Sequence, residues 1–364
     1  GLAFLALGWG RATGRAAAVV TTSGTAVANL LPAVAEASQD RVPLLVISAD
    51  RPPELRDTGA NQTMDQVKLF SSFVRWQVDM PCPDASIPLR AWLTTIDQAV
   101  HRTLRAVPGP VHMNLMFREP LAPRRQAHGR RRLLADLGDW QRGTDPLTTY
   151  GGSRVVPDDS FVERVASQVH RARRGVMVAG ELAAPDRAAT ARMADALGWP
   201  LLPDVRSGLR FENEARTCIG MADLLLSSPR WLARHRADAV LHVGGRLTSK
   251  RIAEFVARAR GPCIHVAAFP DRQDPSHRVA LRGTADVASF CAALQALAPA
   301  REATATWLSQ WQQAGARAEG ALSAAMRHER ALSEPRMAYE VSRLLAPSHG
   351  LFVGNSLPIR LIEA

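Results

Sequence analysis

With 364 residues, 46% of them apolar, the chain is long enough for two or three domains and a sizeable buried core. No apolar run approaches the roughly 20 residues of a membrane-spanning helix, and Cys82, Cys218, Cys263 and Cys291 lie far apart without a C-x-x-C pair, which argues against a zinc site or disulfide framework and suits a reducing compartment. A formal net charge of +11 invites a nucleic-acid reading, but the arginines are spread through the whole chain, lysine occurs only at Lys68 and Lys250, and 5% aromatic residues are too few for a base-stacking platform.

Gly1 to Arg15 reads as a helix, and Ala16 to Thr22 as a buried strand that ends in Ser23-Gly24-Thr25. A helical pattern follows, with Val27, Leu30, Leu31 and Val34 on one face, Ser23 or Thr25 as its natural N-cap, and a kink expected at Pro32. The turn is either a plain strand-to-helix connection or a seat for an anion or a cofactor ring. Val42 to Ile47 is the next buried strand. It runs into SADRPPELRDTGANQ (Ser48 to Gln62), where Pro52 and Pro53 force the chain out of the sheet and leave Asp50, Arg51, Glu54, Arg56, Asn61 and Gln62 just past a strand end, where open α/β sheets bind ligands. Val67 to Val74 and Ile87 to Val107 look helical, the second with Trp92, Leu93, Ile96, Val100 and Leu104 on one face. Pro108-Gly109-Pro110 stops it, and Val111 to Met116 is a strand.

Residues 121 to 160 have little periodicity and read as a linker, which takes in Arg124 to Leu133, the one true basic cluster. A second α/β unit follows: helix Phe161 to Arg173, strand Gly175 to Ala179, helix Ala188 to Leu197, a short strand at Leu201-Leu202, and strand Asp238 to Val243. That last strand enters Gly244-Gly245-Arg246, which lacks the full G-x-G-x-x-G of a nucleotide turn and reads as a generic connection. Lys250 and Arg251 open helix Ile252 to Arg260, where cations oppose the helix dipole, so an anionic partner explains them better than stability does. Residues 300 to 332 read as a helical connector. Leu351 to Val353 reads as a strand entering Gly354-Asn355-Ser356-Leu357-Pro358-Ile359-Arg360. The fold class is therefore α/β with parallel, doubly wound sheets. Both ends read as cut within a domain.

Three loops thus offer Arg51, Asn61, Gln62, Lys250, Arg251, Ser356 and Arg360. Arginine forks suit carboxylates or phosphates, so convergence of these loops would suit a small ligand with several carboxylates. No Ser-His-Asp arrangement, H-E-x-x-H or Walker sequence is present, so the chemistry calls for a cofactor or for residues outside this sequence.

TSGTAVANLLPAVAEA, ISADRPPELRDTGANQT, HVGGRLTSKR and GNSLPIR, in this order, closely resemble the 2-succinyl-5-enolpyruvyl-6-hydroxy-3-cyclohexene-1-carboxylate synthases of menaquinone and phylloquinone biosynthesis, within the thiamine diphosphate enzymes. The resemblance implies a pyrimidine-binding domain over residues 1–123, a linker over 124–160, a middle domain over 161–300, a connector over 301–332 and the start of a diphosphate-binding domain over 333–364. It implies decarboxylation of 2-oxoglutarate and addition of the succinyl carbanion equivalent to isochorismate, with thiamine diphosphate and Mg2+ or Mn2+ as cofactors. It places Arg51, Asn61, Gln62, Lys250, Arg251, Ser356 and Arg360 around the substrates, and the Ser23-Gly24-Thr25 turn on the cofactor. The family's catalytic glutamate would fall upstream of Gly1 and its metal motif beyond Ala364, so this chain alone is expected to be inactive. The resemblance further implies a homodimer or homotetramer, without nucleic acid or a membrane span, cytoplasmic in a bacterium or plastidial in a plant or alga. The rivals are another thiamine-dependent 2-oxo acid decarboxylase, such as an acetolactate synthase-like enzyme, and a noncatalytic basic module using Arg124 to Arg132.

Overall fold

The computed structural model describes residues 1–105, 107–122, 134, 136–210, 215–297, 305–346, 349 and 351–364. The Arg124 to Leu133 cluster lies outside the described residues. The chain divides into two compact units, Gly1–Ser153 and Arg154–Ala364.

The first unit carries a parallel four-stranded sheet in the order β1-β2-β4-β3, with β1 Ala17–Thr21, β2 Leu44–Asp50, β3 Trp76–Met80 and β4 Pro110–Met116. Alternate residues of β2 go to opposite faces. Leu44 and Val46 join the layer made with helices Leu2–Thr13 and Leu31–Gln39, whereas Leu45 and Ile47 join Met80, Ala99 and Met113 under helix Leu89–Leu104. This two-sided burial explains why the strand reads as an unbroken apolar run. The second unit repeats the design with a parallel sheet in the order β6-β5-β7-β8-β9, formed by β5 Gly175–Ala179, β6 Leu201–Pro203, β7 Ala239–Val243, β8 Cys263–Ala267 and β9 Val279–Thr284. Helices Asp159–Arg171, Ala184–Leu197 and Val287–Leu297 cover one face. Helix Lys250–Ala257 and Trp307 and Trp311 of helix Ala305–His328 cover the other. Among the described residues no helix is long and apolar enough to cross a membrane.

Several expectations are corrected. Pro32 does not kink one helix: it sits in the first turn of a second helix, Leu31–Gln39, after a short helix Thr25–Ala28, where its missing N–H costs nothing. The cap of Thr25–Ala28 is Gly24 rather than Ser23 or Thr25, with no side-chain hydrogen bond. Val67 to Val74 is turns and a 3-10 turn at Ser71–Phe73, because the chain must pin Phe70 edge-on against His112 and then enter β3. On helix Leu89–Leu104 the buried positions are Ala99 and Thr103, while Ile96 and Val100 are exposed. Among the described residues Leu351 to Val353 pairs with no strand, and Phe352 is 92% exposed. β propensity without a sheet neighbour does not make a strand.

Candidate functional site

In the first unit, the residues singled out on two loops meet at the carboxyl end of the sheet. Arg51 follows β2, its Nε donating to the Asn61 carbonyl (3.0 Å) and its Nη2 to Gln62 Oε1 (3.3 Å). The loop thus holds the guanidinium half-buried and leaves Asn61 and Gln62 exposed. The Ser23–Thr25 turn lies against the same loop. Gly24 has φ +80°, and a Cβ placed there would stand 3.2 Å from the Gln62 carbonyl oxygen. Only glycine allows both that conformation and that approach.

Beneath this surface lies a buried polar network that the sequence did not announce. Asn114 of β4 uses all its hydrogen-bonding capacity: Oδ1 accepts from Ser48 Oγ (2.9 Å) and Gln66 Nε2 (2.8 Å), and Nδ2 donates to Asp50 Oδ2 (2.8 Å) and Asp79 Oδ1 (2.7 Å). Arg56 donates to the same two carboxylates, at 2.7 Å to Asp50 and 3.2 Å to Asp79, and its pKa is raised chiefly by the bond to Asp79. Since Ser48 donates to Asn114, it accepts from His112 Nε2 at 2.7 Å, which fixes the imidazole tautomer. Burial pushes His112 down to about 4, so the ring is neutral. Of this set the sequence singled out Asp50 and Arg56 as polar loop residues. Gln66, Asp79 and Asn114 went unnoticed, and the alternation around Asp79 in a strand-like stretch was the available signal.

In the second unit, the loop after β7 and the helix Leu357–Glu363 both dock on the turn after β6. Asp204 Oδ2 accepts the Thr248 amide (2.5 Å) and the Ser249 amide (2.9 Å), and Ser249 caps helix Lys250–Ala257. Asp223 accepts from Ser249 Oγ (2.5 Å) and from Arg251 Nη1 (2.5 Å). Arg251 is therefore balanced by a protein carboxylate, which accounts for one of the two cations at that helix start. Lys250 is 88% exposed, 3.7 Å from Glu254, and borders an open cleft of about 670 Å3 with Arg246, Arg272 and His277. On the terminal helix, Ser356 is the N-cap at φ +76° and Arg360 lies one turn on, both exposed. Glu363 is buried: its Oε2 accepts the Val205 amide (2.5 Å) and lies 3.6 Å from Arg210 Nη1, which also donates to the Glu363 carbonyl. Burial first and the Asp204 charge second raise the Glu363 carboxyl to about 8, outweighing the pull of Arg210. The structure thus brings Arg51, Asn61, Gln62 and Gly24 together in one unit. In the other it seats Arg251 and the Arg360 helix around a shared acidic turn.

Gly244 and Gly245 are not a nucleotide turn. The Gly180 amide donates to Val243 and the Gly245 amide to Glu181, and a Cβ at Gly180 would stand 2.1 Å from the Gly245 carbonyl oxygen, so backbone fills the crevice between β5 and β7. Among the described residues no group of three or more His, Cys, Asp or Glu side chains could hold a metal ion, so they offer no metal seat. Gly24 is buried and packed closely against the Gln62 loop, its amide donating to Gln66 Oε1 at 3.0 Å.

A family model described as "Middle domain of thiamine pyrophosphate" matches residues 131–353, and one described as "Thiamine pyrophosphate enzyme, N-terminal TPP binding domain" matches residues 1–69. Curated relatives named 2-succinyl-5-enolpyruvyl-6-hydroxy-3-cyclohexene-1-carboxylate synthase include proteins of Rubrobacter xylanophilus (47% identical, covering 100% of this chain), Salinibacter ruber (44%, 99%) and Aeromonas salmonicida (36%, 100%). The chain spans 62% of the length of the first of these and 61% of the other two.

Proposed function

This chain belongs to the thiamine pyrophosphate enzyme family, and from that premise we propose that the complete protein is a 2-succinyl-5-enolpyruvyl-6-hydroxy-3-cyclohexene-1-carboxylate synthase. It would take 2-oxoglutarate and isochorismate as substrates, with thiamine diphosphate and Mg2+ or Mn2+ as cofactors. The observation that carries the reading is the join between Gly24 and Gln62, which sets the cofactor-side turn directly against the amide and guanidinium groups suited to a carboxylated substrate. The names of the relatives support it.

Bound thiamine diphosphate supplies the decarboxylation and the nucleophilic carbon. The protein's own residues bind, orient and balance charge. Arg51 presents its guanidinium with two donors already fixed on Asn61 and Gln62, so it meets a carboxylate without first being ordered. Asn61 and Gln62 present exposed amides for hydrogen bonds to the reacting substrate. In the second unit Lys250, Ser356 and Arg360 are assigned to substrate carboxylates. Arg251, already paired with Asp223, contributes the remaining half of its fork. We assign residues 1–123 to the pyrimidine side, 161–300 to the middle domain and 333–364 to the start of the diphosphate side, in a homodimer or homotetramer, cytoplasmic in a bacterial source.

The test is an assay of the complete protein with 2-oxoglutarate and isochorismate, against pyruvate alone. Product formation that needs both dicarboxylates is expected. Turnover of pyruvate alone would overturn the assignment in favour of an acetolactate synthase-like enzyme.

A further inference from the structure

Gln66 reads in the sequence as an unremarked loop residue, yet it is 1% exposed and ties three segments together. Its Oε1 accepts the Gly24 amide at 3.0 Å, and its Nε2 donates to the Ala49 carbonyl at 2.7 Å and to Asn114 Oδ1 at 2.8 Å. A side-chain amide is the group this position needs, because one end must accept while the other donates twice. Glutamate would set an acceptor against the Ala49 carbonyl and Asn114 Oδ1, and would add a third carboxylate to a network already holding Asp50 and Asp79. An apolar side chain would leave the buried Gly24 amide without its acceptor.

We propose, resting on the functional reading above, that Gln66 is a positioning residue. It sets the Gly24 turn against Gln62, so that the cofactor-side backbone and the substrate-side amides keep one geometry. The argument is geometric. A Cβ built on Gly24 would stand 3.2 Å from the Gln62 carbonyl oxygen, so turn and loop pack too closely for a side chain between them, and Gln66 bonds the turn while lying four residues along the same loop. Gln62 itself stands at φ +57°, a conformation held by its surroundings and not by its own preference. Gln66, four residues further along, anchors the loop from the sheet side and the turn from below. Being buried, it acts on ligands only through these neighbours.

The test uses the complete protein carrying Gln66→Met, Gln66→Glu or, separately, Gly24→Ala. Without cofactor, Gln66→Met is expected to speed hydrogen exchange at the Gly24 amide by roughly tenfold or more while the amides of β2 and β4 keep their protection. Fluorescence titration is expected to show thiamine diphosphate binding weakened by about tenfold in both Gln66 variants. Gly24→Ala, which sets a Cβ 3.2 Å from the Gln62 carbonyl oxygen, should likewise weaken binding, and unchanged binding in it would overturn the coupling of turn and loop on which the proposal rests. Unchanged Gly24 exchange in Gln66→Met, or faster exchange with unchanged cofactor binding, would overturn the proposal. If the unsubstituted protein binds no thiamine diphosphate, the functional reading fails, and the exchange result still decides whether Gln66 holds the turn.

Discussion

The carboxyl ends of the two sheets both gather charge, but they balance it differently. At the first, Asp50 and Asp79 share Arg56, and the fully used Asn114 amide lies between them. At the second, Asp204, Asp223 and Glu363 face Arg210 and Arg251, and burial first, with the Asp204 charge second, raises the Glu363 carboxyl to about 8. A neutral amide with two donors and two acceptor positions organises opposed carboxylates without adding charge. A buried carboxyl beside a second acid keeps its proton to higher pH. The first arrangement suits a rigid floor under a binding loop, and the second makes the seating of the Arg360 helix depend on pH.

The sharpest way to break the first half of this comparison is Asn114→Leu. It strips Ser48, Gln66, Asp50 and Asp79 of a shared partner in a buried network, and the expected loss is about 3 kcal/mol of stability, read as a lower urea midpoint with unchanged slope. A loss near zero would mean that the network is decorative. For the second half, the sign follows from Glu363. The group titrates near 4.5 when unfolded and near 8 when folded. Between these values the folded state keeps a proton that the unfolded state has lost, so the Glu363 contribution falls as pH rises, at most by about 1.4 kcal/mol per pH unit. His112, lowered to about 4 from 6.5, works the other way and loses its contribution as pH falls through that window. His265 shares the sign of His112, so the difference between the parent and Glu363→Gln, followed by hydrogen exchange in helix Leu357–Glu363, isolates the carboxyl. Equal pH slopes in the two would remove Glu363 as the cause.

The smallest expected effect is at Lys250. Its exposed pair with Glu254 at 3.7 Å should contribute under about 0.5 kcal/mol. Lys250→Ala should therefore leave the urea midpoint nearly unchanged while raising KM for a dicarboxylate in the complete protein. A clear stability loss would return Lys250 to a structural role.

The fold was legible where burial on both faces wrote it as apolar runs, as in Val42 to Ile47 and Asp238 to Val243. Strands outside that pattern were missed. Trp76–Met80 is a half-buried edge strand carrying Asp79, and Val279–Thr284 is half-buried and interrupted by Arg282. Cys263–Ala267 fits the pattern and was missed nonetheless: it is as long and as buried as Ala239–Val243, which also carries a histidine. The loops bearing Arg51, Asn61 and Gln62 stood out because their chemistry is local: prolines, a glycine and adjacent amides. Gln66 and Asn114 could not stand out, since each draws its role from partners 17 to 66 residues away. The pairing of Arg251 with Asp223, 28 residues distant, was hidden for the same reason. The adjacent cations at that helix start read as facing an anionic partner, whereas for Arg251 the anion is the chain's own Asp223.

The most direct test of the central claim, that the polar residues at these sheet ends receive dicarboxylates, is steady-state kinetics of Arg51→Ala, Arg360→Ala and Arg360→Lys in the complete protein, with each dicarboxylate varied in turn. Each alanine variant is expected to lose roughly 1.5–3 kcal/mol in kcat/KM for at least one substrate, with thiamine diphosphate binding nearly intact and Arg360→Lys recovering only part of the loss because an ammonium cannot reproduce the planar fork. Kinetic constants unchanged for both substrates in both alanine variants would contradict the account.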